Sequence, residues 1–483
     1  MVVRVTQNQI ITRAQGFLAK QSSDLVVAQQ QISSGIRIHR PADDPAGIRR
    51  SLVQKDRFER LEAHEVSISH VKSRIDQAQV HLQEVNGLLT TARQIAIQSQ
   101  HVTDDSERNV LAAQLDSLLV QMTSSANASD ESGYLFSGTA GNSQPFPGTV
   151  NSSGQTVYAG ASSGTGLYIA GDVERQALLP GDMVFKFANR QPTIVVGMTG
   201  SAVGTGTDTA VGSRDLLIQH TATTFDPGAG SGIQAGLDSA LKDTLIGPAG
   251  THTIRIIDTS GTGASGTVAL NGGDPVAFTN GMTNLAVTGP MGEKIHLNTT
   301  AVTAGFSGTV NVTSTGTLSL DGGITTTPIS HGANQQVTDS RDGTVVNVRT
   351  TDIRRTGTDR FEFPGTSDVF SVLRELRDDI LNTRNVPESI RSQALNRRLG
   401  DVERMQDHIL DMVGVQSVSL EQIERLESRT GDLKLAEQVE YGNTVSADIA
   451  SAVLRMQELT NLQQYTMAAV GQLLAPNLLN YLQ

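Results

Sequence analysis

The chain has 483 residues, a formal net charge of −12, no Cys, no Trp, 4% aromatic residues and 37% hydrophobic ones. The absence of Cys removes disulfides, thiolate nucleophiles and Cys-type zinc sites, and an acidic balance without clustered Lys and Arg argues against a nucleic-acid surface. Such a length accommodates about two to four domains, and so few large side chains suit extended helices and thin β layers better than a conventional enzyme core.

The first residues lack the apolar core of a secretory signal peptide. No uninterrupted apolar run approaches the roughly 20 residues of a membrane span. Composition alone would place the chain in the cytoplasm. Residues 11–32 then carry a narrow stripe at spacings of three and four: Ile11, Ala14, Leu18, Gln21, Leu25, Ala28, Ile32. That stripe wants a partner helix. Its flanks are Gln, Ser and Thr, so the helix is marginal alone, because packing supplies most helical stability.

Residues 33–51 punctuate the chain. Gly35 suits a helix C-cap, where glycine enters the left-handed region at no steric cost. Ile36 to Arg40 reads as an extended connector, and Pro41 biases Arg40 towards an extended conformation. Asp44 followed by Pro45 is a helix start, a capping carboxylate before a residue with no N–H to orphan. The adjacent Asp43 is read as a solvated neighbour. Local chemistry by itself describes an ordinary helix–loop–helix corner.

The next helix has the strongest periodicity in the chain. Leu61, Ile68, Ile75, Leu82, Leu89 and Ala96 recur every seven residues, with His64, Val71, Ala78, Val85, Ala92 and Ser99 in the second seam position. Leu61 to Ser99 would span roughly 58 Å at about 1.5 Å per residue, the length of a bundle or coiled coil. After a break at His101 to Asp105 a third helix shows Leu111, Leu115, Leu118 and Met122. Gly133-Tyr134-Leu135-Phe136-Ser137-Gly138-Thr139 and Pro145-Phe146 then read as a β-hairpin arm.

From Gly141 to about Pro364 Gly, Thr, Ser, Val and Ala dominate, and short alternations such as Thr253–Ile257 lie between turn signals. Gly266–Gly273 echoes Gly316–Gly323. We expect two small β-rich units, duplicated, with a helical piece near Ile233 to Leu245; a partly disordered low-complexity insert is the alternative. Helices resume with Val369, Leu373, Leu376 and Ile380 on one face. A long heptad follows, with Val402, Met405, Ile409, Met412, Gln416, Ser419, Ile423, Leu426, Thr430 and Leu433. The last helix shows Val445, Ile449, Ala452, Met456, Leu459, Gln463, Thr466, Val470 and Leu473, and ends at Pro476. Antiparallel pairing of the two ends buries all four stripes. The expected fold class is α+β: a long antiparallel helical bundle from both termini, with a β-rich inserted outer region.

Little in the sequence suggests chemistry. His64-Glu65 with His70 has the wrong spacing for His-Glu-x-x-His, and His64 falls on a seam. Gly289 to Lys294 lacks the Gly-Lys step of a phosphate loop. Arg49-Arg50, Arg354-Arg355 and Arg397-Arg398 read as solvated pairs. No Gly-x-Ser-x-Gly elbow joins a strand to a helix.

Ser33-Ser34-Gly35, Arg37-Ile38 and Arg40-Pro41-Ala42-Asp43-Asp44-Pro45-Ala46-Gly47 resemble the N-terminal signature of the flagellin superfamily. The family's usual basic residue is Ile36 here. Pro41 and Pro45 make the motif more similar to the hook–filament junction members than to the filament subunits, which usually lack both. The Gly133–Phe146 segment and the ending Leu478-Leu479-Asn480-Tyr481-Leu482 resemble the same branch. The resemblance covers residues 1–146 and 364–483, not the middle.

The resemblance implies five regions: an N-terminal axial helix, 1–40; half of a helical rod, 41–140; a variable β-rich insert, 141–365; the other half-rod, 366–440; and a C-terminal axial helix, 441–483. It implies a structural flagellar protein at the hook–filament junction, on which flagellin polymerises. The filament subunit itself is the alternative, and an extracellular enzyme or adhesin carried by the insert a remote one. Catalysis, cofactors, metals, nucleic acid and membrane are not expected. The expected partners are further copies of the chain in a ring or helical turn, hook-associated protein 1 on the hook side and flagellin on the filament side. An export chaperone is expected on the C-terminal region. The resemblance further implies export through the flagellar apparatus without a cleaved signal, to the extracellular flagellum. Ile11, Ala14, Leu18, Leu25, Ile32, Val445, Ile449, Ala452, Met456 and Leu459 are the expected assembly seam. Gly35, Arg40, Pro41, Asp43, Asp44, Pro45 and Gly47 form the expected helix connector. Both terminal helices are expected to stay unfolded in the monomer and to pair on assembly.

Overall fold

The computed structural model describes residues 7–151, 154–169, 173–187 and 189–479. Its helices are α1 (Gln7–Ser34), α2 (Pro45–Ser99), α3 (Asp105–Ala126), the short α4 (Gly181–Phe185) and α5 (Ser239–Lys242), α6 (Val369–Leu381), α7 (Glu388–Val445) and α8 (Ile449–Leu479). The first strands are β1 (Ser129–Asp130), β2 (Gly133–Tyr134), β3 (Thr165–Ile169), β4 (Val173–Leu178), β5 (Ile194–Val196), β6 (Ala202–Val203), β7 (Gly212–Phe225), β8 (Gln234–Ala235) and β9 (Gly247–Asp258). They are followed by β10 (Ser265–Leu270), β11 (Val276–Thr279), β12 (Leu285–Thr288), β13 (Lys294–Asn298), β14 (Ser307–Ser319), β15 (Thr327–Pro328), β16 (Gln335–Thr338), β17 (Val345–Arg349) and β18 (Gly357–Phe363). The architecture is α+β. Two compact units divide it: one holds the described parts of residues 1–73, 167–174 and 420–483, the other 74–166 and 175–419.

In the first unit α1 and α8 run antiparallel. Gln21, the polar step in the first stripe, donates through Nε2 to Thr466 Oγ1 at 3.2 Å. Ile11, Ala14, Leu18, Leu25 and Ile32 are half-buried and Ala28 is buried. On α8 Ala452 is buried, and Met456, Leu459, Gln463, Thr466 and Val470 are half-buried. The first part of α2 meets the last part of α7 through Lys72–Glu427 at 2.9 Å and Lys434–Glu65 at 2.6 Å. Here the heptad expected on α7 fails at its end. Leu433 is 49% exposed, and Thr430 and Lys434 take the inner face. A straight helix drifts about 20° per heptad against a 3.5-residue repeat, so a strict count overruns the buried face.

The second unit continues both long helices. Ile75, Ala78, Leu82, Val85, Leu89, Ala92 and Ala96 of α2 are buried, as are Val402, Met405, Ile409 and Met412 of α7. Arg93 Nε meets Glu403 Oε1 at 2.9 Å, which places these stretches antiparallel. Asp104 caps α3 by accepting from the backbone N–H of Ser106 and Glu107. Composition changes at Gly141, but packing does not. Phe146 exchanges two hydrogen bonds with the Asn127 side chain at the end of α3, at 2.7 and 2.9 Å. Its ring packs with Tyr158, Phe185 and Phe370 at centroid distances of 5.3, 5.3 and 4.9 Å. Of the expected β-hairpin arm only the short β1–β2 pair forms a hairpin, and Phe136 and Phe146 enter an aromatic core.

Arg397-Arg398 is not a solvated pair. Arg398 is 3% exposed. Its guanidinium pairs with Glu362 of β18, with Glu375 at 2.7 Å and Asp379 at 3.2 Å on α6, and with Asp401 at 2.6 Å on α7. Burial opposes the charge on Arg398, but the carboxylates around it hold its pKa well above the ordinary value. Burial also pushes Glu375 upward, and Arg398 and Arg360 outweigh it, leaving Glu375 low.

Between the helices lies a β insert whose main sheet runs β11-β10-β9-β14-β7-β18-β5, with β15 on β14. Two small sheets, β12-β13-β8 and β16-β17-β6, accompany it. The orders repeat: β6, β14, β15, β16 and β17 stand to β7 as β8, β10, β11, β12 and β13 stand to β9. Two separate cores match it, with Val268, Leu270, Val287, Leu297 and Val302 in one and Leu318, Leu320, Val337, Val348 and Ile353 in the other. The echo at Gly266 and Gly316 is therefore one end of a duplication. The second copy is nested inside the first, between β7 and β14. The helical piece expected near Ile233 to Leu245 is only α5, four residues long. Its surroundings form loops and β8, which pairs with β13 through Ala235↔Leu297 and Gln234↔Asn298.

Candidate assembly site

Two helix breaks in the first unit meet. The first lies between α1 and α2, the second between α7 and α8. Gly35 ends α1 with φ +69° and its N–H on the Gln31 carbonyl at 2.9 Å. The chain then pairs with the second break in a short antiparallel bridge. Arg37 N–H donates to the Val445 carbonyl at 2.7 Å, and Ala447 N–H donates to the Gly35 carbonyl at 2.8 Å.

The Arg37 side chain joins the same elements again. Nη2 donates to the Thr444 carbonyl at 3.0 Å, and Nη1 lies 3.1 Å from Asp44 Oδ2. Asp44 caps α2 through Oδ1, which accepts Gly47 N–H at 2.8 Å. That bond, followed by the Arg37 contact, holds the Asp44 carboxyl below the usual carboxylate range. Asp448 caps α8 likewise, accepting from the Ser451 hydroxyl at 2.7 Å and its N–H at 3.2 Å, and its pKa is lowered by those bonds. Both carboxylates face helix N-termini, where negative charge is favoured.

Every connector residue has a place in this arrangement. Arg40 and Pro41 open a turn closed by Asp43 N–H on the Arg40 carbonyl at 2.9 Å. Asp43 is more than a solvated neighbour: its Oδ2 accepts the N–H groups of His39 at 3.0 Å and Arg40 at 2.7 Å. Pro45 is the first residue of α2. Gly47 is buried, and a Cβ there would approach Asp44 Oδ2 at 2.4 Å and Ile38 Cδ1 at 2.7 Å.

The two seam residues beside the second break differ in exposure. Val445 is half-buried as the last residue of α7, but Ile449 opens α8 and is 51% exposed. Asp448 restarts the helix, so the heptad phase of α7 does not carry into α8. Arg37 stands in the motif but not in the expected connector set, and Ser446–Asp448 stand in neither. An Asp three residues before Ser451 was the available signal for that second break. The terminal Asn480-Tyr481-Leu482 lies outside the described residues.

Other candidate chemistry remains scattered. His64 is half-buried on α2, and Gly289–Glu293 is the turn between β12 and β13, with Lys294 the first residue of β13. Among the described residues no group of three or more His, Asp or Glu is disposed to hold a metal ion, and no helix is long and apolar enough to cross a membrane. A cleft of about 520 Å³ near β7 is lined by Arg214, Asp215, Arg341, Arg360 and Glu375. Its charges already answer one another, as in Arg214–Asp342 at 2.8 Å and Arg360–Glu375 at 3.3 Å.

Residues 5–140 match the family model of the bacterial flagellin N-terminal helical region. The chain carries a flagellin-type N-terminus. That region contains α1, the connector, α2, α3 and the β1–β2 hairpin, so the superfamily resemblance of the Ser33–Gly47 motif holds. No curated protein matches the chain. Solved structures similar to this chain include FlgL from Xanthomonas campestris, at 16% identity, 80% of this chain, 98% of that one and a TM-score of 0.40. Flagellar hook associated protein-3 from Legionella pneumophila shares 18% identity over 81% of this chain and 98% of its own, with a TM-score of 0.41. The flagellar junction protein FlgL from Legionella pneumophila shares 18% over 82% and 99%, with a TM-score of 0.39.

Proposed function

We propose that this flagellin-superfamily protein is a structural subunit of the bacterial flagellum, seated at the junction between hook and filament. The observation that carries the reading is the interlocked pair of helix breaks at Gly35–Arg37 and Val445–Ala447. The first of the two breaks lies within the flagellin-type N-terminal region, and the pairing ties that region to the C-terminal helices. The junction, rather than the filament shaft, is favoured by the Arg40-Pro41…Asp44-Pro45 form of the connector.

The work such a subunit does is mechanical. Two helices alone leave the stripes of α1 and α8 half open, and each further Leu or Ile fully covered stabilises by on the order of 1.5–3 kcal/mol. Further copies of the chain, in a ring or helical turn, would cover Leu18, Leu25, Met456 and Leu459. Hook-associated protein 1 would lie on the hook side and flagellin on the filament side. An export chaperone would shield the C-terminal region before assembly. Export would run through the flagellar apparatus without a cleaved signal, and the protein would be extracellular and without catalytic activity.

Immunogold labelling of intact flagella tests this. Label confined to the hook–filament boundary is the expected result. Label along the shaft would make the protein a filament subunit, and label absent from flagella would end the reading.

A further inference from the structure

The sequence holds three Asn-Gly steps, at Asn86-Gly87, Asn271-Gly272 and Asn280-Gly281. Such a step is chemically labile. The backbone nitrogen after the asparagine can attack the side-chain amide carbon, and glycine offers no side chain to hinder it. The fold treats the three differently.

Asn86 lies inside α2, where the helical backbone holds the following nitrogen in the hydrogen-bond ladder. Asn271 is in a tight turn with φ +50°, but its side chain is held at both ends. Its Oδ1 accepts Thr253 N–H at 3.0 Å, and its Nδ2 bonds Glu293 Oε1 at 2.6 Å and His252 Nδ1 at 2.9 Å. Asn280 is exposed at the turn after β11, and Gly281 follows it with φ +106°. Asn280 N–H is anchored on the Ala264 carbonyl at 2.7 Å, and Met282 N–H on the Thr279 carbonyl at 3.3 Å. Among the described residues neither the Asn280 side chain nor Gly281 N–H makes a hydrogen bond.

We infer that Asn280 is a site of spontaneous deamidation and isoaspartate formation in the folded protein, and that Asn271 and Asn86 are spared. Hydroxide removes the Gly281 N–H proton, and the nitrogen attacks Asn280 Cγ. The Cγ–Nδ2 bond breaks, and Nδ2 takes a proton from water and leaves as ammonia. Water then opens the cyclic imide at either carbonyl, giving aspartate or isoaspartate. No oxidant or reductant takes part. The product adds one negative charge at the turn, and the isoaspartate form adds one backbone methylene beside the Ser265↔Thr279 pair that ends the β10–β11 ladder.

The test is peptide mapping by mass spectrometry of the full chain after mildly alkaline incubation, native and urea-unfolded in parallel. Each hydrogen bond that must open slows ring closure several-fold. Conversion of Asn280 should therefore exceed that of Asn271 by at least about tenfold in the native protein. In the unfolded chain the three steps should convert at similar rates. Asn280→Gln, which lengthens the ring to be closed, should remove the isoaspartate signal from its peptide while the far-UV spectrum stays unchanged. Native conversion at Asn271 or Asn86 as fast as at Asn280, or a difference that survives in urea, would overturn the inference.

Discussion

Arg37 reaches Thr444 across the two helix breaks, its guanidinium Nη2 donating to the Thr444 carbonyl at 3.0 Å. The same side chain sits on the Asp44 cap, so the end of α7 and the start of α2 share one donor. A guanidinium suits this geometry because its fork serves two acceptors in fixed directions. Arg37→Ala should lower amide-exchange protection at Ala447 and Gly47 several-fold and leave the Leu82–Ala96 stretch of α2 unchanged. Arg37→Lys should recover only part of the loss. Unchanged protection at Ala447 in Arg37→Ala would mean that the backbone bridge alone holds the breaks together.

Two glycine substitutions should act in opposite directions. Gly47→Ala brings a Cβ against Asp44 and Ile38 and should destabilise the first unit by about 1–3 kcal/mol, the ordinary effect of overpacking. Gly431 lies inside α7 with open space where a Cβ would go, so Gly431→Ala should stabilise by roughly 0.5–1 kcal/mol. Urea unfolding of both variants measures the contrast. Equal signs would show that the Gly47 contact relaxes without cost.

Asp44 and Asp448 give the connector a pH dependence whose sign follows from their lowered pKa values. A carboxyl depressed in the folded state adds stability that is complete above its unfolded pKa of about 3.9. That stability is lost as pH falls through the folded value. The amides of Gly47 and Ser451 should therefore stay protected at mildly acidic pH and lose protection below the usual aspartate range. Asp448→Asn should flatten the profile at Ser451 alone. Protection that instead grew with acid would contradict the cap assignments.

Leu459 is half-buried between α8 and α1, and Glu458 beside it is exposed. Leu459→Asp puts a carboxylate where assembly would exclude water, and burying it unpaired is costly enough to prevent packing. The second unit should melt normally in the purified variant, and the protein should be exported but fail to join the hook, so that flagellin leaks into the medium. Glu458→Asp should be silent. Normal filaments on Leu459→Asp cells would remove the seam from the assembly interface.

Arg398 anchors four carboxylates from three elements, and removing it leaves them buried against one another. Arg398→Met should cost about 3–5 kcal/mol at neutral pH, the range for breaking a buried pair. The deficit should shrink as acid protonates the stranded carboxyls. A pH-independent deficit in urea melts would assign the loss to packing instead of charge.

The helical half of the fold is legible because its signal is local. Ile11 to Ile32 and Leu61 to Ser99 repeat within one helix, and every one of those stripe positions is at least half covered in the folded chain. Ile449 and Leu433 escape the count because phase is reset by a cap or drifts with the helical pitch, and neither event is written in apolar residues. Arg398 escapes because its environment depends on Glu362, which arrives on a strand, and on Glu375 from another helix. The connector is legible in its capping residues, Gly35, Asp44 and Pro45. The second break is marked by Asp448 before Ser451, but its pairing with the connector is not, since backbone pairing between distant breaks leaves no side-chain pattern. The duplication shows only as the Gly266 and Gly316 echo, because strand pairing across the inserted copy involves residues far apart in sequence.

Phe225 on β7 pairs directly with Val312 on β14, and Asp226 N–H bonds the Asn311 carbonyl at 3.0 Å. The whole inner copy therefore leaves and re-enters the chain at one doorway, like a parenthesis within a sentence. Lengthening or shortening the text inside it leaves β5 and β18 paired with the same neighbours, and leaves the entry from Phe185 and the exit to Asp368 where they were. Growth of the insert can thus proceed from the innermost gap outward, one bracketed copy at a time, while the helices keep their register.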